Sequence, residues 1–270
     1  MRFLVRFFLG CAAAGAGTVL ASTLAVFHTP IGDMEVELYD TAKPVTVKNF
    51  MLYVNRGLYR KTFVQRWEPK FVIQGGGYYA LDADPYYARV PVLGQITNEA
   101  QVGPFYSNTY GTIAMARQDG VTNSASSQWF FNLGDNSALD SKFGGFTVFG
   151  RVLRGTNVLE QFNNPGTVFA ASVAAFPELS ELPVTVASGV FDLVYTDISL
   201  LKVHIARAGA AGREISWNSI SNKVNRVEFS DQVAPVWQEL ISTNGTGQTL
   251  RILDAPAASN HRVYRVTVQY

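Results

Sequence analysis

The sequence predicts a mainly β fold carrying two helices, followed by a second, smaller β-module. Three observations support it. Met34, Val36 and Leu38 alternate with Glu35, Glu37 and Tyr39, the period of a strand with one face buried. Helical spacing stands out in two short stretches. Five short strand-like runs then follow one another after residue 213, separated by turn-forming residues.

Length and charge set the frame. The chain has 270 residues, more than the usual 100–200 of one domain, so two modules are expected. Charged residues make up only 16% and hydrophobic residues 47%, which excludes a disordered chain. With 22 basic and 21 acidic residues, the net charge of +1 provides no clustered field for sequence-independent nucleic-acid binding, so no nucleic-acid partner is expected. The single Cys11 excludes a disulfide framework and a thiolate zinc site. His28, His204 and His261 are scattered, and neither a metal nor another cofactor is expected.

The first residues read as a targeting segment. Arg2 and Arg6 precede an uncharged run from Phe7 to Leu20, and small residues follow at Ala21 and Ala25. This is the layout of a secretory signal peptide over residues 1–25, cleaved after Ala21 or Ala25. A transmembrane anchor competes with this reading, but the run falls short of the roughly 20 residues a bilayer needs. A lipoprotein site at Cys11 is disfavoured because only Phe7 to Gly10 separate it from Arg6. The expectation is an exported protein, periplasmic or secreted, with no stable membrane span after cleavage. Losing Arg2 and Arg6 leaves 20 basic residues against 21 acidic, a net charge of −1, and Cys11 goes with them.

The elements follow in order. Ile31-Gly32-Asp33 is a turn feeding the strand Met34–Tyr39. Pro44 opens a helix with apolar residues at Val47, Phe50, Met51 and Val54, and Gly57 closes it. Strands are expected at 111–116, 128–133 and 146–152, and a second helix at 157–162 with Val158, Leu159 and Phe162 on one side. This pattern suits an α+β domain or a barrel with helical caps. Residues 166–189 are rich in Ala, Pro and Val with little periodicity and are expected to be a loop before a last strand at 196–203. The first domain is placed at 26–204 and a Gly- and Ala-rich linker at 205–212. In the module at 213–270, strands are expected at 214–217, 225–229, 237–241, 249–253 and 262–268. Turns fall at Ser221-Asn222, 244–247 and 257–260. That spacing suggests a small sandwich with Trp217 and Tyr264 as core anchors.

The motifs are more specific. Residues 64–76 read V-Q-R-W-E-P-K-F-V-I-Q-G-G, which resembles the cyclophilin block F-x-R-x-x-x-x-F-x-x-Q-G-G with Val64 in place of the leading phenylalanine. Thr97-Asn98-Glu99-Ala100, Gly111 to Arg117, Ser127-Gln128-Trp129-Phe130-Phe131, Leu139-Asp140 and Val148-Phe149-Gly150 follow in that family's order at compatible spacings. Over residues 26–204 the chain is similar to cyclophilin-type peptidyl-prolyl isomerases. The resemblance implies an eight-stranded antiparallel β-barrel capped by two helices. The tail is similar, through Ile215-Ser216-Trp217 and Val263-Tyr264-Arg265-Val266, to fibronectin-type-III-like tails of exported bacterial proteins.

The resemblance implies that Arg66 is the catalytic arginine, with Gln74 beside it. It makes Phe71, Val72, Phe130 and Leu139 walls of a proline pocket and has Ala116, Arg117 and Gln128 contact substrate backbone. Phe146 occupies a substrate-binding position where many eukaryotic members carry histidine and many bacterial ones an aromatic residue. Val72 replaces the usual methionine, Gln65 the histidine before the arginine, and Ala138 the tryptophan of the most drug-sensitive members. Taken alone, an arginine on a strand is a surface charge, and Phe71, Phe130 and Leu139 are core residues; the surrounding block reverses that weighting. Gly75-Gly76-Gly77 lacks the Gly-Lys-Ser/Thr of a phosphate cradle and reads as close backbone packing. No G-x-S-x-G elbow supports a hydrolase. Two functions stay open. One is a monomeric isomerase acting on proline-containing polypeptides during folding of exported proteins. The other is a proline-peptide-binding module with little turnover.

Overall fold

The structure is a computed structural model that describes residues 23–269 apart from 84–85, 165, 172–178, 188–189, 202, 210–211, 220–222, 233–235 and 256–261. The leader expected at the N-terminus falls largely outside the described residues, as do the turns expected at Ser221-Asn222 and 257–260. Among the described residues, no helix is long and apolar enough to cross a membrane.

The first elements are β1 (Leu24–Thr29), β2 (Gly32–Leu38), α1 (Pro44–Asn55), β3 (Arg66–Glu68), β4 (Val72–Gly75), β5 (Tyr78–Ala80) and β6 (Tyr87–Arg89). β7 (Thr112–Met115), β8 (Trp129–Asn132), β9 (Val148–Arg154) and α2 (Thr156–Asn163) follow. Next come β10 (Val168–Ala171), β11 (Leu182–Ala187), β12 (Val190–Leu193) and β13 (Asp197–Leu201). Eight of these strands form one antiparallel sheet in the order β13-β1-β2-β9-β7-β8-β4-β3. Its two edge strands are brought together by the residues preceding each. Phe63 bridges Tyr195, Val64 donates its N–H to the Val194 carbonyl at 2.9 Å, and Thr196 donates to Thr62 at 2.8 Å. The sheet therefore curls into an eight-stranded half-barrel whose two ends are tied by these flanking contacts.

Inside, Phe27 meets Trp129 and Phe131 edge-on at 5.0 Å. α1 lays Val47, Phe50 and Tyr53 against this core, while Met51 and Val54 pack at its margin. α2 adds Val158, Leu159 and Phe162. The helix start of α1 is secured from a distance. The buried Glu99 carboxylate accepts the Val45 N–H at 3.2 Å and both the N–H and hydroxyl of Thr46 at 2.7 Å. An anion thus sits where the first helical amides have no intrahelical partner. Lys43, also buried, donates to the carbonyls of Glu99 and Val102 at 2.8 and 2.6 Å. The Thr97–Ala100 block is accordingly a helix anchor.

Three sequence expectations need correction. The segment read as a loop at 166–189 carries β10 and β11 and joins β12 in a three-stranded sheet, whose Leu182 and Val184 pack with Leu179 on Phe63 and Tyr78. Leu24 and Ala25, inside the proposed leader, belong to β1 and pair with β2 and β13. Residues 205–207, assigned to a linker, lie in β14 (Val203–Arg207), which is hairpin-paired with β15 (Arg213–Asn218).

The remaining strands are β16 (Val224–Ser230), β17 (Gln238–Asn244), β18 (Thr249–Asp254) and β19 (Val263–Gln269). They form two three-stranded sheets, β14-β15-β18 and β17-β16-β19. Ile215, Trp217, Val227 and Val266 fill the space between, and the Trp217 indole N–H donates to Asn225 at 3.2 Å. Tyr264 packs at the margin of this cluster. Leu24 and Leu201 of the barrel complete the same cluster, so the module is seated directly on the β1–β13 edge.

Candidate active site

Period-two alternation sorts the barrel strands into two separate apolar groups. Ile73, Ile113, Met115, Trp129 and Phe131 point into the main core. Their neighbours Val72, Ala114, Phe130 and Val148 point the other way and, with Leu139, form a second buried cluster. Phe71, Ala116, Phe146, Tyr39 and Tyr106 pack around it, partly exposed. Six of the sequence-predicted residues, Phe71, Val72, Ala116, Phe130, Leu139 and Phe146, thus meet in one cluster outside the main core. Phe130 and Phe146 meet edge-on at 5.8 Å.

Local structure sets each wall. Between β3 and β4 the chain turns at Glu68–Phe71, with Pro69 at the second position and Lys70 at φ 61°, closed by the Phe71 N–H to Glu68 at 3.0 Å. This turn delivers Phe71 to the rim. Leu139 lies in a 3-10 turn, Ser137–Asp140. Asp140 fixes that turn by accepting the Asn108 backbone and side-chain N–H groups, both at 2.8 Å, and the Ser107 hydroxyl. Tyr39 stacks on Tyr106 at 4.1 Å, and burial pushes its phenol up to about 12, so it stays neutral.

Arg66 stands beside this cluster on β3, its guanidinium 5.7 Å from the Phe71 ring. Gln74 is its directly opposed partner on β4. The two are adjacent, yet the amide of Gln74 donates to Gln128 Oε1 at 2.7 Å, while Arg66 Nε donates to Glu181 at 2.6 Å and Nη2 to Glu68 at 2.7 Å. Gln65 also donates to Gln128 Oε1, at 2.9 Å, and accepts the Gly77 N–H at 3.2 Å. With its oxygen taken twice, Gln128 keeps its amide N–H groups for a further acceptor. The backbone beneath is tightly packed: a Cβ on Gly75 would come within 2.5 Å of the Trp129 ring.

Arg117 borders the other side. Its guanidinium lies 4.3 Å over the Phe146 ring, and Nη2 donates to the carbonyls of Lys142 and Phe143 at 2.8 and 2.9 Å. Nε and Nη1 are buried without a hydrogen-bond partner among the described residues. Burial lowers the guanidinium pKa and Asp119 opposes the shift. With Nη2 committed to the loop carbonyls, the guanidinium braces the Lys142–Phe143 turn against Phe146.

Sequence reasoning missed Glu68, Glu181, Tyr39, Tyr106, Ala114 and Val148 as neighbours of the site, and treated Gln65 only as a departure. Strand alternation carried a signal for Ala114 and Val148. Glu181 gave none, because it reaches Arg66 from a segment without readable periodicity. Among the described residues, no group of three His, Cys, Asp or Glu side chains could hold a metal ion.

Comparison with known proteins places this geometry. Residues 24–177 match the family profile described as cyclophilin type peptidyl-prolyl cis-trans isomerase/CLD. A peptidyl-prolyl cis-trans isomerase of Acinetobacter baylyi is 37% identical over 55% of this chain and 76% of its own length. Peptidyl-prolyl cis-trans isomerase A of Dickeya dadantii is 36% identical over 62% of this chain and 83% of its own. Peptidyl-prolyl cis-trans isomerase B of Escherichia coli is 36% identical over 53% of this chain and 86% of its own.

Proposed function

The chain belongs to the cyclophilin family of peptidyl-prolyl cis-trans isomerases, and on that premise we propose that Arg66 catalyses rotation about X–Pro bonds of exported polypeptides held on the Phe130 cluster. The observation that carries this reading is the placement of one arginine beside an apolar cluster segregated from the barrel core.

The chemistry needs no nucleophile, since no covalent bond breaks. Amide resonance raises a rotational barrier of about 18–20 kcal/mol. As the bond twists, the prolyl nitrogen pyramidalises and its lone pair leaves conjugation. A guanidinium N–H aimed at that nitrogen is then stronger in the twisted state than in the planar one, which is the condition for catalysis. Phe71, Phe130, Leu139, Phe146 and Val72 hold the ring while the preceding carbonyl swings. Gln128, Ala116 and Arg117 border the flanking backbone, Gln128 through its remaining amide N–H groups. Uncatalysed exchange takes tens to hundreds of seconds, slow enough to limit folding. Accelerated cis–trans exchange of an Ala-Pro-Phe peptide by the purified chain tests the activity; peptide binding without acceleration would identify a binding module instead.

The export reading rests on the charged start and the apolar run at Phe7 to Leu20. Of the two cleavage positions, the one after Ala21 fits the fold. Thr23 donates its N–H and hydroxyl to Asp40 at 2.7 and 2.8 Å, and Leu24 and Ala25 are paired strand residues. Cutting after Ala25 would remove all of these contacts. Intact-mass measurement of protein recovered from an exported fraction should therefore give a chain beginning at Ser22. A start at Val26, or retention of Met1 in a membrane pellet, would contradict this.

Ala138 leads to a pharmacological prediction. It is exposed beside Leu139, at the position where drug-sensitive relatives carry an indole. Losing that apolar contact costs about 2 kcal/mol, roughly thirty-fold in affinity. Cyclosporin should inhibit weakly, with Ala138→Trp restoring sensitivity. Nanomolar inhibition of the natural chain would show that another residue replaces the indole.

A further inference from the structure

We infer that Glu68 and Glu181 are positioning residues that hold the Arg66 guanidinium against the proline site, Glu181 doing so from chain beyond the segment matched to the family. The inference rests on the reading of Arg66 as the catalytic group.

The two carboxylates reach Arg66 by different routes. Glu68 lies two residues along β3 and shares its face, so it meets Nη2 at 2.7 Å. Glu181 comes from 115 residues away and meets Nε at 2.6 Å. Its own backbone is fixed to the same strand: the Glu181 carbonyl accepts the Trp67 N–H at 2.8 Å. The next residue, Leu182, begins β11 and is buried with Leu179 and Val184 against Phe63 and Tyr78. The β10–β12 sheet therefore delivers a carboxylate to the arginine with little freedom of its own.

Both contacts fall on the Nε and Nη2 side of the guanidinium. Among the described residues the N–H groups of Nη1 carry no such bond, so they are left to address a substrate. Arginine is long and rotamer-rich, and its planar fork is useful only when oriented. Gln74 stands opposite Arg66, but its amide is committed to Gln128. The carboxylates fix the guanidinium in its place. Their side chains are 49% and 46% exposed, so these ion pairs add little to stability and act on the population of the productive rotamer.

The test measures kcat, KM and melting temperature for prolyl-peptide isomerisation by the full chain and its variants. Glu181→Ala should lower kcat about tenfold with KM within twofold and an unchanged melting temperature. Glu181→Gln, which keeps an acceptor of the same length, should stay within about threefold of the natural chain. Glu68→Ala should show the same split with a smaller loss. Adding Glu181→Ala to Arg66→Ala should cost nothing further, because a positioning residue has no effect once its target is gone. Unchanged kcat in Glu181→Ala, or the same tenfold loss on top of Arg66→Ala, would overturn the role. If Arg66→Ala itself keeps natural activity, the underlying reading of Arg66 fails, a result distinguishable from failure of the Glu181 contact alone.

Discussion

Arg66→Ala is expected to lower turnover of a prolyl peptide about 100- to 1,000-fold, the effect of losing roughly 2.7–4 kcal/mol of transition-state stabilisation from one preorganised donor. Peptide affinity should change far less, because the planar ground state gains little from the guanidinium. The arginine sits beside the Phe71 ring at 5.7 Å, at the margin of the cluster that would hold the proline. Arg66→Lys should rescue poorly. An ammonium keeps the charge but cannot satisfy Glu68 and Glu181 along one edge while presenting further donors from the other. Phe130→Ala should behave differently, weakening binding and turnover together, since it removes a buried wall of the cluster.

Glu99→Ala is expected to destabilise the fold by about 2–4 kcal/mol. Its carboxylate is buried and serves three donors at the start of α1. Removing it leaves the N–H groups of Val45 and Thr46 and the Thr46 hydroxyl without their acceptor, and takes a counter-charge from the buried Lys43. Glu99→Gln should cost less, about 1–2 kcal/mol, because one oxygen remains but the negative charge at the helix N-terminus is lost. Urea unfolding with an unchanged m-value checks both. A change below about 0.5 kcal/mol in Glu99→Ala would show that water replaces the carboxylate at this helix end.

What could be read from the chain followed the range of its interactions. Strands β2, β7, β8 and β9, both α-helices and all five strands of the tail from β15 to β19 announce themselves through local periodicity and turn residues. The resemblance carried by the 64–76 block singled out Arg66, Phe71, Val72 and Gln74, and the structure sets Arg66, Val72 and Gln74 on one short hairpin with Phe71 in its turn. β1 was obscured because its small and apolar residues also suit the end of a leader. β10 to β12 lack alternation because their pairing is with one another and their burial is against Phe63 and Tyr78, far away in sequence. β14 was hidden in an Ala- and Gly-rich stretch whose strand character comes from its partner β15. The same limit applies to the site. Its apolar walls were implied by the motif resemblance, whereas the Glu181–Arg66 pair joins positions 115 residues apart and exists only once the extra sheet has docked on β3.

The most direct measurement is two-dimensional exchange NMR of a saturating Ala-Pro-Phe peptide, which gives the on-enzyme cis–trans rate separately from peptide affinity. The natural chain should exchange the bound prolyl bond rapidly, and Arg66→Ala should lower that rate at least a hundredfold while its Kd stays within a few-fold. An on-enzyme rate in Arg66→Ala equal to that of the natural chain would contradict transition-state stabilisation by this arginine.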